Sequence, residues 1–401
     1  RSGTSWKDLS GNARNGTLTN SPTFNSNGYM DLDGVDDFIS IDTYTFGNGN
    51  WTVSMVVNAD NITVSNLLSN TSGGPVTNAF GFASSKIHYR NYDGAWQTHN
   101  GNTTLSTSKW YSLTWVNYAG DQASTGTMKM YVNGVADSSE FNSYATNGGP
   151  CNAIGSNWFS KFNGRIASTK FYTKSLSDSE ILTNYYQGSN VTSNLVFAAD
   201  AGNLVSYENG ETTTYSLIGS LDGTLTNGVD FVNSNGGVWD FDGVDDKITL
   251  PNDLGYSATS VSVFAWYKIN GTPGNSYHII CGDVNLEMSI HSSATYLRNG
   301  IGTTNGRFVS NDGNQTLNDG NYHYYGFTFD GSTKRAYIDG VAVGTQSVTG
   351  TLTTSFSSRK LGAFGGGYQA NGNMTSYLVW DKVLTTQEIQ QNYNANVKKY
   401  T

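Results

Sequence analysis

Two clusters of carboxylates occur in one local setting: Asp33, Asp36 and Asp37, then Asp242, Asp245 and Asp246, each within the string Asp-Gly-Val-Asp-Asp. Hard cations are held by several oxygens of this kind, so a structural Ca2+ near either cluster is one chemistry the spacing allows. The same residues also make Asx-turns, in which a carboxylate accepts nearby backbone N–H groups, and both readings stand. A second stretch, Tyr92, Asp93, Trp96, Gln97, His99 and Asn100, reads as a loop between strands and interleaves rings with hydrogen-bonding side chains. Saccharide sites are built this way, with an aromatic face for the sugar C–H surface and polar groups for its hydroxyls. Around Tyr296, Arg307 and Phe308 the second half of the chain keeps the aromatic character with other residues. Loop packing or an intersubunit contact is the alternative for both stretches.

Spacings that would support catalysis are scarce. Glycoside hydrolysis needs two carboxylates roughly 5 to 9 Å apart, and Glu140, Glu180, Glu208, Glu211, Glu287 and Glu388 form no alternating acid run. Of these, Glu287 alone sits in a strand-like pattern. His88, Tyr89 and Arg90, and His291 with Tyr296 and Arg298, are the nearest approach to a His/Tyr/Arg lyase set, and they read as lying on corresponding strands. A histidine presented on a polar strand face explains them equally. No nucleophile elbow, His-Glu-x-x-His helix, Cys-x-x-Cys pair or phosphate-cradling glycine loop is present. The expected set of catalytic residues is therefore none.

The elements that must position these groups repeat. Residues 29–41 and 238–250 are nearly the same string, and each reads as a β-hairpin turning at Asp33-Gly34 or Asp242-Gly243. Met30, Leu32, Ile39 and Ile41, with Trp239, Phe241, Ile248 and Leu250, are apolar in both copies and are expected inward. Further strands are expected at 51–57, 110–116, 128–135 and 165–172, and at 261–269, 277–280, 286–290, 322–329, 335–341 and 376–380. Asn133-Gly134 marks another hairpin. Ser177 with Glu180, and Thr385 with Glu388, are capping boxes that each open a short helix. Many short strands between turn signals, closed by one helix, make an antiparallel β-sandwich, twice.

A repeat of about 200 residues is a comfortable size for one sandwich, and it divides the chain into 1–187, a polar linker at 188–194, and 195–401. The second unit opens with an apolar strand and turn at 195–207 that has no counterpart in the first. The first unit would then leave a sheet edge to be covered from upstream in a longer polypeptide or by strand addition from a neighbour, or simply tolerated.

The 401 residues include 47 Gly, 25 Tyr, 18 Phe and 9 Trp with 13% charged residues, which fits all-β extracellular material and not helical bundles. A net charge of −9 argues against nucleic acid, which needs a basic stripe. No apolar run reaches the roughly 18 residues of a membrane span, so membrane insertion is not expected. Cys151 and Cys281 occupy non-equivalent places in the two repeats and read as small buried residues, with a bridge between the repeats as the alternative.

The strings Asp8-Leu-Ser-Gly-Asn and Gly16-Thr-Leu-Thr-Asn, the Asp-Gly-Val-Asp-Asp pair, Tyr131-Val-Asn-Gly-Val, Tyr337-Ile-Asp-Gly-Val and the two capping boxes together resemble the laminin-G-like jelly rolls of the concanavalin A-like lectin/glucanase superfamily. The resemblance covers nearly the whole chain, twice. It implies an all-β fold of two tandem antiparallel β-sandwiches, each a jelly roll with one short C-terminal helix. Lectins, binding modules, hydrolases, lyases and structural modules share that fold, so it implies no single activity. Asp200-Ala-Gly-Asn-Leu-Val-Ser-Tyr leading into Gly223-Thr-Leu-Thr-Asn also resembles modules of environmental bacteriophage structural and fibre proteins.

The expectation from sequence is a non-enzymatic extracellular or virion-surface protein that builds an appendage or fibre and binds cell-surface or environmental glycans. Its other partners would be copies of itself or a larger assembly, and its cofactor a structural Ca2+. A carbohydrate-binding module or carbohydrate-active enzyme of the same superfamily is the alternative.

Overall fold

The computed structural model describes residues 4–46, 49–69, 78–92, 95–122, 125–143, 150–155, 160–187, 190–273, 275–354, 359–365 and 367–400. Internal contacts divide the chain into Arg1–Tyr185 and Tyr186–Thr401. Each unit is a sandwich of two antiparallel sheets around its own apolar core.

In the first unit one sheet runs in the order Ser5–Trp6, Gly16–Thr19, Phe38–Thr45, Pro150–Ile154, Val64–Ser69, Asn78–Ala83, Lys86–Tyr92, Trp96–Asn100. The facing sheet has Trp110–Gln122, Trp51–Ala59 and Asn163–Tyr172 at its centre. The second unit repeats the scheme. Its matching sheet ends in Tyr277–Gly282, Leu286–His291, Leu297–Thr303 and Gly306–Asp312, and the facing sheet centres on Asn371–Trp380, Val261–Ile269 and His323–Phe329. Central strands such as Val261–Ile269 and His323–Phe329 are apolar and β-branched or aromatic nearly throughout, as strands covered on both faces must be.

The repeated acidic string does not form the expected hairpin. Tyr29–Asp33 lies in one sheet of its sandwich and Phe38–Thr45 in the other, and Val238–Asp242 and Lys247–Thr249 are divided the same way. The turn between them is an arch that carries the chain across the core. Period-two patterning cannot tell these cases apart, because strands in opposed sheets also point alternate residues into one interior. The inward set holds: Met30, Leu32, Ile39, Trp239, Phe241, Ile248 and Leu250 are buried, and Ile41 packs against the core. Genuine hairpins occur at Asn133-Gly134 and Asp339-Gly340, where both turn residues have positive φ as a type I′ turn requires.

Both capping boxes form. In α1 (Asp178–Tyr185) the Glu180 N–H donates to Ser177 Oγ at 3.3 Å, and the Ser177 N–H donates to Glu180 Oε2 at 2.9 Å. In α2 (Thr386–Tyr400) Thr385 and Glu388 do the same at 3.2 and 2.9 Å. Asn190–Asn194, the described part of the segment read as a linker, docks on the second unit. The Val191 N–H donates to Asn392 on α2 at 2.7 Å, and Trp380 Nε1 donates to the Val191 carbonyl at 2.8 Å.

The two units differ at one sheet edge. Leu195–Asp200 pairs with the second half of Asn371–Trp380, from Ser376 to Trp380. In the first unit the matching half of Asn163–Tyr172, from Ser168 to Tyr172, pairs with Trp51–Ala59 on one side, and among the described residues no strand pairs with its other edge. Cys151 and Cys281 are separate free thiols, both buried, and burial pushes each up to about 12.

Candidate functional site

The acidic arches are tied by their own backbone. Asp33 Oδ1 accepts the N–H groups of Val35 at 2.8 Å and Asp36 at 3.3 Å, while the Asp33 N–H donates to Asp37 Oδ2 at 3.2 Å. Asp242 and Asp246 repeat this, with the Val244 N–H on Asp242 Oδ1 at 2.7 Å and the Asp242 N–H on Asp246 Oδ2 at 3.0 Å. Asn20 and Asn227 brace the two turns by donating to the carbonyls of Asp36 and Asp245. The Asx-turn reading is thus realised, and it leaves carboxylate oxygens spare. In each trio, one ligand atom from every Asp lies within 4.8 Å of the others. Buried Asp246 keeps an Oδ1 with no protein partner among the described residues. Burial, then the neighbouring carboxylates Asp242 and Asp245, push Asp246 up to about 6 despite its bond from the Asp242 backbone. A hard cation would relieve that repulsion, so these donors fit one.

In the first unit the polar-aromatic stretch forms an edge strand, where a loop was expected. Trp96–Asn100 pairs with Lys86–Tyr92, joining Trp96 to Tyr92, Thr98 to Arg90 and Asn100 to His88. Alternation then splits the candidates between faces. Trp96, Thr98 and Asn100 share the outer face with His88 and Arg90, opposite core-facing Ile87 and Tyr89. The Arg90 guanidinium lies 4.1 Å over the Trp96 ring, and His88 Nδ1 meets Asn100 Oδ1 at 2.9 Å. Gln97 and His99 occupy the opposite face. His99 stacks on Phe141 with ring centroids 3.9 Å apart, and burial lowers its pKa. Asp93 and the Tyr92 side chain lie outside the described residues.

The second unit builds a denser cluster at the same place. Glu287 pairs across to Gly300, Ser289 to Arg298, Gly300 to Val309 and Gly302 to Arg307, so Glu287, Arg298 and Arg307 share one outward face. Glu287 is 5% exposed. Its Oε1 accepts Arg298 Nε and Ser289 Oγ, both at 2.9 Å, and its Oε2 accepts the Arg307 guanidinium. Rings wall the ions: Arg298 lies 5.1 Å over Tyr277 and Arg307 lies 5.9 Å over Phe364. His291 is stacked on Tyr296 at 4.9 Å and meets Tyr277 edge-on at 5.1 Å, and Tyr368 stands beside both Tyr277 and Phe364. Gly300 keeps the floor low, since a Cβ there would sit 3.3 Å from Arg307 and 3.4 Å from Glu287.

Of the three residues anticipated here, Tyr296 and Arg307 join this cluster, whereas Phe308 pairs with Ile301 and packs against the core. His88 and His291 do not occupy corresponding strands. Lys86–Tyr92 matches Leu297–Thr303 by sheet position, so the strand of His88 and Arg90 corresponds to that of Arg298 and not to that of His291. Glu287 was visible as an outward position in the alternation Leu286-Glu-Met-Ser-Ile-His, where Leu286, Met288 and Ile290 are buried. Phe364 and Tyr368 carry no such signal. They arrive from the short hairpin of Ala363–Phe364 and Tyr368–Gln369, far along the chain.

The Laminin_G_3 family model, described as the concanavalin A-like lectin/glucanases superfamily, matches residues 33–182 and 242–390. The chain belongs to this superfamily. None of the curated proteins matches the sequence. Solved structures with a similar arrangement include the binding domain of Paraclostridial Mosquitocidal Protein 1, with 11% identity, a TM-score of 0.41 and coverage of 50% of this chain and 52% of that one. The chain thus spans about half the length of that protein's structure. Domain 4 of AbnA, an extracellular arabinanase from Geobacillus stearothermophilus crystallised with arabinotriose, shares 17% identity over 50% of this chain and 98% of that one, with a TM-score of 0.39. Mouse laminin alpha1 domains LG4-5 share 9% identity over 92% and 94% of the two chains, with a TM-score of 0.32. Both superfamily matches begin at the first Asp of an acidic arch and run into the helix that closes each sandwich.

Proposed function

We propose that this superfamily member is a non-enzymatic glycan-binding protein, working outside a cell or on a virion surface as a structural or adhesive module. One observation carries the reading: both units present rings and hydrogen-bonding side chains on the outer face at the same end of the sheet, Arg90 with Trp96 in one and Arg298 and Arg307 beside Tyr277 in the other. Core packing requires none of these groups to be there. Binding without catalysis follows from the acids. The strands from Tyr277 to Asp312 carry two carboxylates, Glu287, held by two arginines, and Asp312, which faces inward and bonds Asn299 and Ser310. Neither is placed as a free acid opposite a second one, as hydrolysis requires.

A structural Ca2+ at the Asp arches belongs to the same proposal, as does assembly into an appendage by strand addition at the Ser168–Tyr172 edge. The test is a broad glycan array probed with the intact chain, in Ca2+ and again in chelator. Selective signal on a saccharide class is expected. A blank array in both conditions removes the glycan-binding reading and leaves a scaffold whose outer-face rings serve subunit contacts.

A further inference from the structure

We infer that the outer face around Glu287, Arg298 and Arg307 takes an acidic saccharide, one bearing carboxylate or sulfate groups. The inference rests on the glycan-binding reading and narrows it. Neutral sugars present hydroxyls, which donate as well as accept, and sites for them offer both kinds of partner. The carboxylate here is already engaged. Glu287 Oε1 takes Arg298 Nε and Ser289 Oγ, and Oε2 takes Arg307. His291 Nδ1 accepts the Ser293 N–H at 3.1 Å, which leaves Nε2 of the neutral ring as the N–H donor.

The charged groups this face still offers are donors, the guanidinium N–H groups of Arg298 and Arg307 beyond those bound to Glu287, and His291 Nε2 adds another. Two guanidinium charges oppose one carboxylate, so the cluster is locally positive on a chain whose net charge is −9. Planar, weakly hydrated guanidinium forks match carboxylate and sulfate oxygens better than isolated hydroxyls. Glu287 and the Tyr277 and Phe364 rings hold the two arginines from beneath and beside, so little side-chain freedom remains to be lost on binding. Tyr277, Tyr296 and Phe364 are half-buried, so part of each ring stays exposed beside the arginines for the sugar body.

The first unit lacks this charge set. Among the described residues Arg90 lies over Trp96 with no acid paired to it, and Trp96, 43% exposed, offers the larger platform. The acidic-saccharide preference is therefore assigned to the second unit.

The test is isothermal titration of the full chain in EDTA, so that no cation bridge contributes, with trigalacturonate, a sulfated chondroitin tetrasaccharide and neutral galactotriose. At least one acidic probe is expected to bind ten times or more tighter than galactotriose, and to weaken as salt screens the charges. Arg307→Ala should lower the acidic affinity tenfold or more, and Arg307→Lys, which keeps the charge opposite Glu287 but loses the fork, should lower it severalfold. Galactotriose binding as tightly as the acids, or acidic binding unchanged in both variants, overturns the inference and leaves glycan binding standing. No binding of any probe, with the glycan array also blank, overturns both.

Discussion

Lys334 shows what a buried charge costs this fold. It is 1% exposed, and its Nζ donates to the carbonyls of Asn299 at 2.7 Å and Phe308 at 3.5 Å. Burial pulls its pKa down to about 8, although Asp312 and Glu287 work the other way. Unfolded, the amine keeps its ordinary value of 10.5. Between these values the unfolded state binds more protons than the folded one, so this group makes folding more favourable as pH rises from about 8 towards 10.5. Denaturant midpoints of the native chain should therefore gain on those of Lys334→Met across that window. Parallel pH profiles for the two proteins would show that Lys334 is not the titrating group. No local pattern marks this lysine in the sequence: it lies in Thr333–Ile338, one residue before the strand expected from 335. Outward Glu287, by contrast, could be read from alternation alone, but its two arginine partners could not, because pairing between strands is long-range.

Elements were legible where their signal is local. The helix starts were readable because a capping box closes within four residues, and both boxes are made. Thr385→Ala should cost α2 about 1 kcal/mol, measured as a lower denaturant midpoint, and Thr385→Ser should recover most of it. The type I′ hairpin at Asn133-Gly134 was readable for the same reason, whereas the one at Asp339-Gly340 falls inside the single strand expected at 335–341. The acidic arches were misread because Asp-Gly between alternating apolar residues signals a turn without saying whether the strands beyond it share a sheet. Edge strand Trp96–Asn100 was taken for a loop since its residues, polar and exposed in alternation, lack the apolar face that marks a strand. Within the candidate site, this same feature hid the division of Trp96 and Asn100 from Gln97 and His99.

On the scale of the whole molecule, the repeat supplies its own control. The second unit shows what occupies the sheet edge that, among the described residues, carries no strand beside Ser168–Tyr172 in the first, namely a strand of sequence Leu-Val-Phe-Ala-Ala-Asp. A labelled peptide spanning residues 195–207 should bind the full chain and raise the melting temperature of the first unit's transition, since a ligand of the folded state stabilises it by mass action. Absence of both effects would count against strand addition at this edge. Doubling of the fold was the most legible property of the sequence, because two copies of each motif fix one another's register.

The arches bear also on how fast this chain can fold. Strands that follow each other across an Asp-Gly arch never pair, and Tyr29–Asp33, which pairs locally with Thr23–Asn25 on one edge, must wait for Asn163–Tyr172 on the other. Such pairing closes a long loop before any hydrogen bond rewards it, and the rate of reaching the native state falls as the sequence separation of its contacts grows. The type I′ hairpins are the places where structure can begin cheaply. Both copies of the sandwich therefore share one kinetic bottleneck, the crossing from sheet to sheet that the acidic turns hold closed once it is made.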